Sequence, residues 1–234
     1  MTAARGAEWD RFMEAGLYTV PMAARLVAAQ QHKVRSWVES YASSKAPPII
    51  HRELPKVGGK TVLGFLDLIE TAFIRHFAGL GYSPQTIRRV ADKLRDRHQI
   101  EHPFAMGKRF RADGKSIFEE VVDDDGERRL LNLMSDNFVI APVVEQSLFK
   151  SILYVDDIAR QWEPLPQFKQ IIIDPRIAFG KPVIRDLGIP ASTIYSDYLN
   201  FGSAHDVAEE YGLSLDQTNE AIGFEMELNR RTLN

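Results

Sequence analysis

The side chains able to ligate metal or move protons are scattered along this 234-residue chain. Of the histidines His32, His51, His76, His98, His102 and His205, one pair has a suggestive spacing: His98 and His102 stand four apart, so on a helix both rings would share a face and could hold a metal. Gln99 stands where zinc hydrolases carry glutamate and no further ligand follows, so the pair reads as a helix-end cap or surface pair. The chain has no cysteine, which excludes a thiolate nucleophile, a disulfide framework and cysteine-ligated zinc. The run Asp123 to Asp125 lacks the following ligands of a calcium loop and reads as a solvated turn. Gly180-Lys181-Pro182 has the lysine of a phosphate loop without its glycine frame or hydroxyl. With no convergent acid, base and nucleophile, the expectation is a protein that is not an enzyme and needs neither cofactor nor metal.

The remaining chemistry is that of hydrogen-bond donors suited to phosphates and base edges. Gln31, His32, Lys33, Arg35 and Ser36 crowd into six positions, flanked by Val34, Trp37 and Val38 at helical spacing. The helix that would position them is preceded by another, with Thr19 as cap and Val20, Ala23, Ala24 and Val27 as its apolar stripe. Two short helices across a turn near Gln30 frame a helix-turn-helix within Gly16 to Tyr41, although any small helical bundle offers a similar motif. Beyond the loop from Ala42 to Pro48, Ile49 to His51 reads as extended. Gly58-Gly59 then makes a hairpin tip between two short strands within Lys56 to Leu63. Such a wing would set Arg52, Lys56 and Lys60 beside the same DNA backbone.

Phe65 to Ala78 has a helical apolar period, and Ser83-Pro84 signals the start of another helix, with Ile87, Val90, Ala91 and Leu94 on one side. Its basic residues, Arg88, Arg89, Lys93, Arg95 and Arg97, allow two readings: phosphate contact, with Arg88 and Arg89 as outer backbone donors, or a solvated face. Charge is unevenly divided. Residues 1 to 110 carry 17 Lys and Arg against 10 Asp and Glu, a balance of +7, whereas residues 111 to 234 carry 12 against 22, a balance of -10. A basic first half suits a phosphate backbone and an acidic second half suits a basic protein surface, although charge drift alone also produces imbalance. The apolar fraction of 44% with 26% charged residues is that of a folded protein. The opening residues lack a signal peptide's apolar run and no window is apolar enough for a bilayer, so a cytoplasmic protein with no membrane partner is expected.

Residues 4 to 16 read as an amphipathic piece that packs through Trp9, Phe12 and Met13. From Phe110 the texture becomes strand-like, with Asp113-Gly114 and Asp125-Gly126 as hairpin tips. Val144, Leu148, Phe149 and Ile152 would line a short helix, and Tyr154, Trp162, Pro164 and Pro166 fall in a polar connection leading to a strand at Ile171 to Ile173. Arg176 to Phe179 and Val183 to Arg185 read as two extended pieces of a hairpin-like lead-in. Three helices follow: one from Pro190-Ala191, one over Ser203 to Tyr211, and one capped by Ser214 that runs to Leu228. This is a second helix-turn-helix arrangement, whose last helix is acidic and would repel phosphates.

Residues 17 to about 105, through YTVPMAARLV, VRSW and GYSPQTIRRV, resemble winged helix domains of the MerR type, with Ala28-Ala29-Gln30 where a glycine often makes the turn. Residues 171 to 226, through IDPRIAFGKPVIRDLGIPASTIYSDYL and HDVAEEYGLSLDQTNEAI, resemble the DUF433 family, with Asp186 where a small residue is usual. The fold class this implies is mainly α with small β elements: an N-terminal winged helix-turn-helix over 1–105, a mixed connector over 106–170, and a C-terminal DUF433-like helix-turn-helix domain over 171–234. The resemblance extends to antitoxins of the VapB45 type. It implies an antitoxin that silences a PIN-like ribonuclease toxin and, as a homodimer, represses its own promoter, setting its second helices in major grooves about 34 Å apart on operator double-stranded DNA. It marks Asp174, Pro175, Phe179, Gly180, Pro182 and Ile184 as pattern residues, for toxin contact or for fold. The alternatives are a stand-alone transcription regulator whose C-terminal domain dimerises or senses a ligand, and an adaptor that never binds DNA.

Overall fold

Apolar residues come either as long helical stripes or as isolated pairs, so the chain builds sizeable helices and very short strands. The fold is mainly α with small antiparallel β elements. The computed structural model describes residues 14–40, 46–107, 110–112, 117–122, 128–139 and 148–232. The expected amphipathic piece at 4–16 falls almost wholly outside these residues. The first part of the loop after Tyr41, both Asp-Gly pairs, the Asp123 to Asp125 run and Val144 also lie outside them.

Two units divide the chain. The first comprises Met1–Gln31, Glu53–Phe65 and Arg160–Asn234, and the second His32–Arg52 and Leu66–Ala159. In this division Gly16 to Gln31 and Glu53–Phe65 are grouped with the C-terminal region from Arg160 onward.

In the first unit, strand β1 (Tyr18–Thr19) pairs antiparallel with β2 (Val62–Leu63), and the amide of Leu17 donates to the carbonyl of Phe179 at 3.0 Å. Thr19 accepts from the amide of Met22 and caps α1 (Val20–Leu26), whose Val20, Ala23, Ala24 and Leu26 are buried. Strand β8 (Ile158–Trp162) reaches this unit through Trp162, which exchanges backbone hydrogen bonds with Ile173 at 2.9 and 2.8 Å. Strands β9 (Ile171–Ile172) and β10 (Val183–Ile184) pair antiparallel. Helices α5 (Ala191–Phe201), α6 (Ala204–Tyr211) and α7 (Leu215–Thr232) follow. Ser203 caps α6, Gly212 ends it at φ +63°, and Ser214 and Gln217 form a reciprocal capping box that starts α7. The core joins Tyr18, Leu26, Ile173, Ile184, Ile194, Val207 and Phe224. Gly223 leaves room on α7 for Phe168, whose ring meets Phe224 edge-on at 6.0 Å.

The second unit holds all of α2 (Gln31–Val38) beyond its first residue, α3 (Phe65–Gly79) from Leu66 onward, and α4 (Pro84–His98). It also holds an antiparallel sheet in the order β3 (Phe110–Ala112), β4 (Ile117–Val122), β5 (Arg128–Asn132), β6 (Phe138–Val139). Strands β3 and β4, and β4 and β5, are antiparallel neighbours. Phe73, Phe77, Phe104 and Tyr82 pack as an aromatic cluster, each fully buried phenylalanine contributing about 2–3 kcal/mol. Beneath it Asp67 and Glu70 are buried, and Glu70 accepts from the amide of Phe104 and faces His102, both at 3.3 Å.

Several local expectations give way to pairing elsewhere. The wing is a tight turn closed by the single bridge Val57 to Lys60, because Val62–Leu63 takes β1 as partner instead. Ile49 and Ile50 are bends, not strand, since both amides donate to the carbonyl of Trp37 and end α2. Ile152 opens β7 (Ile152–Val155), which forms a hairpin with β8 across Asp156-Asp157. Tyr154 and Trp162 therefore sit in strands and not in a polar connector. Arg176 to Phe179 is turn and 3-10 helix rather than extended.

Candidate nucleic-acid interface

Helix α2 is amphipathic because apolar residues fall at its positions four, seven and eight. Val34, Trp37 and Val38 are buried at 0%, 4% and 2% exposure. The opposite face presents Gln31, His32, Lys33, Arg35 and Ser36, all exposed. The Ser36 hydroxyl donates back to the carbonyl of Lys33 at 2.7 Å, while Lys33 and Arg35 have no ion-pair partner among the described residues. Gln31 belongs to the first unit and the other four to the second.

The remaining candidates divide differently. Lys56 and Lys60 are exposed on the Gly58-Gly59 turn of the first unit, where both glycines have positive φ. Arg52 is half-buried in the second unit. Helix α4 is mostly committed internally. Arg88 donates from Nε to the carbonyl of Pro47 at 2.9 Å, and Arg95 binds Ile49, Asp92 and Glu101. Lys93 and Arg97 share Asp136 at 2.6 and 2.9 Å, and that double contact holds the Asp136 carboxyl below its usual range. Arg88, Lys93, Arg95 and Arg97 thus tie this helix to neighbouring segments of the same unit. Arg89 stays exposed. The two histidines spaced by four part company because Gln99 turns left-handed at φ +55° and ends the helix. His98 faces the buried Glu119 at 2.8 Å and His102 faces Glu70.

The pattern residues of the first unit separate by burial. Asp174, Pro175, Gly180, Pro182 and Ile184 are buried, whereas Phe179 is 52% exposed. Burial acts to raise the Asp174 carboxyl, but three hydrogen bonds from Arg176 outweigh it and hold it below the usual range. Gly180 has φ +77°, and a methyl there would collide with the hydroxyl of Tyr18. Tyr18 itself is fully buried, and its Oη has no hydrogen-bond partner among the described residues. The neighbouring Ala178 and Phe179 are also left-handed, at φ +48° and +57°, which holds the Phe179 ring outward. Asp186 adopts φ +63°, the conformation that a small residue would otherwise supply and that aspartate tolerates better than most.

Sequence reasoning passed over Arg25. It lies off the apolar stripe of α1 and lines an open cavity of about 380 Å³ with Ala24, Ala28, Gln30, Gln31 and Arg231. Nothing in the helical pattern singles it out, because a cation on the outer face of an amphipathic helix is ordinary. The Nε of Arg25 is shut off from solvent with no hydrogen-bond partner among the described residues. Arg231, by contrast, donates to Glu227 and to the carbonyl of Leu26 at 3.1 Å. The buried carboxyl of Glu225 is pushed up by desolvation, partly offset by Arg25.

Among the described residues no helix is long and apolar enough to cross a membrane, and no group of three His, Cys, Asp or Glu could hold a metal ion. No curated protein sequence matches the chain. The crystal structure of Rv2018 from Mycobacterium tuberculosis has the same fold over 88% of this chain and 96% of that one, with a TM-score of 0.61 at 20% identity. Residues 171–224, from β9 into α7, match the family model described as protein of unknown function (DUF433).

Proposed function

We propose that this protein is a DNA-binding antitoxin that represses its own promoter as a homodimer and neutralises a PIN-like ribonuclease toxin. The observation that carries the DNA-binding part is the face of α2: five polar or cationic side chains within six positions, exposed above a buried apolar side. Cations without internal partners keep their charge available for phosphates, and guanidinium and amide groups suit base edges. Loss of Lys33 and Arg35 by double substitution to Ala removes two phosphate or base contacts. It is expected to weaken binding to the upstream promoter fragment by tenfold or more and to flatten the salt dependence. Fluorescence anisotropy across a salt series measures both, and unchanged affinity would refute this placement.

The toxin-binding part rests on the DUF433 resemblance and on the exposed apolar corner of the first unit. There Phe179 stands out beside Leu17, and Ile177 packs on Gly188 next to exposed Leu187. Phe179→Asp is expected to abolish toxin inhibition in an RNase assay while leaving promoter binding intact. Full inhibition by that variant would remove this surface from the reading. A stand-alone regulator with a ligand-sensing C-terminal region is the second reading, and the cavity beside Arg25 is the observation that favours it.

A further inference from the structure

The geometry points to a binding site for a small aliphatic carboxylate in the cavity between α1, the turn that follows it and the end of α7. Its residues all belong to the first unit, and of the proposed DNA-binding face it includes only Gln31. Three observations converge on it. First, Arg25 is a cation in want of an anion. Its Nε hydrogen bond is unmade, and no carboxylate lies within ion-pair distance of it among the described residues. An unsatisfied buried donor is costly, and more so when the group is charged. A protein would repair such a defect internally if its role were only packing, as this one does for Arg95, whose guanidinium meets two carbonyls and a carboxylate.

Second, no acid lines the cavity beside that charge. The lining holds Arg25 and Arg231 but no Asp or Glu, and the Glu225 carboxyl is 6% exposed, outside that lining. Glu227 is engaged by Arg230 and Arg231 on the outer side of α7. Arg231, paired with Glu227, is fixed at the cavity's edge by the carbonyl of Leu26, so the uncompensated positive charge of the lining is that of Arg25.

Third, the remaining lining selects the kind of anion. Ala24 and Ala28 supply apolar wall, suited to a short hydrocarbon body, and Gln30 and Gln31 supply amide donors and acceptors. A volume of about 380 Å³ lies in the range of small-molecule sites. A planar carboxylate matches the Nε–Nη edge of a guanidinium with two parallel hydrogen bonds, and seating one would draw that edge of Arg25 toward the cavity.

The Arg25 Nε–Hε signal in a ¹H–¹⁵N correlation spectrum of the full ¹⁵N-labelled chain tests the site directly, with the signal identified by its loss in Arg25→Lys. Butyrate, succinate, inorganic phosphate, a 20-base-pair duplex and chloride at matched ionic strength are the titrants. Butyrate or succinate should shift the signal saturably, at concentrations at least tenfold below any effect of phosphate or chloride. Arg25→Lys, which keeps the charge and lacks the fork, should abolish the saturable response of the neighbouring Gln30 and Gln31 amide signals while the far-UV circular dichroism stays unchanged. A response that is linear and equal for chloride would overturn the site. Saturation by phosphate or by the duplex without saturation by either carboxylate would overturn the ligand class and assign Arg25 to a phosphate instead.

Discussion

Replacing Gly180 by Ala perturbs the contact on which residues 16 to 26 are seated. At φ +77° any side chain adopts a left-handed conformation costing about 1 kcal/mol. The new methyl also meets the buried Tyr18 ring, and overpacking of that kind costs about 1–3 kcal/mol. The combined loss is about 2–4 kcal/mol, read as a lowered urea midpoint. Tyr18→Phe isolates the steric part. The Tyr18 hydroxyl is buried without a partner, and burial pushes its pKa up, so removing the oxygen alone should raise stability by about 1 kcal/mol. In the Tyr18→Phe background, Gly180→Ala should cost about 1 kcal/mol less than in the parent, a coupling outside the additivity expected of independent sites. Hydrogen exchange supplies a second readout: amides of β1 and α1 should lose protection together with those of β9 and β10. Additive single effects, or a Gly180→Ala cost below about 0.5 kcal/mol, would show that this close approach does not hold β1 in place.

Other consequences are simpler to check. Ala28 turns left-handed at φ +52° just after α1, where a glycine would be unstrained, so Ala28→Gly should raise stability by about 0.5–1 kcal/mol in urea unfolding; a loss would mean its methyl is needed. Glu225 keeps its proton in the folded chain to higher pH than in the unfolded one. Its favourable contribution is complete below the unfolded carboxyl value, about 4.3, and is lost as pH rises through the folded value. Glu225→Gln should therefore raise the thermal midpoint at pH 7 and leave it unchanged near pH 4, a difference that scanning calorimetry at the two pH values reads.

Local chemistry alone made the helices legible. Thr19, Ser83 and Ser214 are caps both in the chain's pattern and in space, because a side-chain oxygen three residues ahead of an unpaired amide needs no distant partner. The buried face of α2 and the strand at Ile171 were legible for the same reason: periodicity records which side must leave water. The two-residue strands were not. Val62–Leu63 has the same apolar content whether it pairs with Lys56-Val57 or with Tyr18–Thr19, and only the tertiary structure brings β1 to it. Cations were equally ambiguous. Arg35 and Arg97 look alike as letters, yet one faces solvent and the other meets Asp136 from 39 residues away. The sequence by itself determined the helical segments, their caps and the pattern at 171–184. The tertiary structure decided that Gly16 to Gln31 is built onto that pattern, that five of its six marked residues are buried, and that Arg25 lines a cavity, because each depends on contacts between segments far apart in the chain.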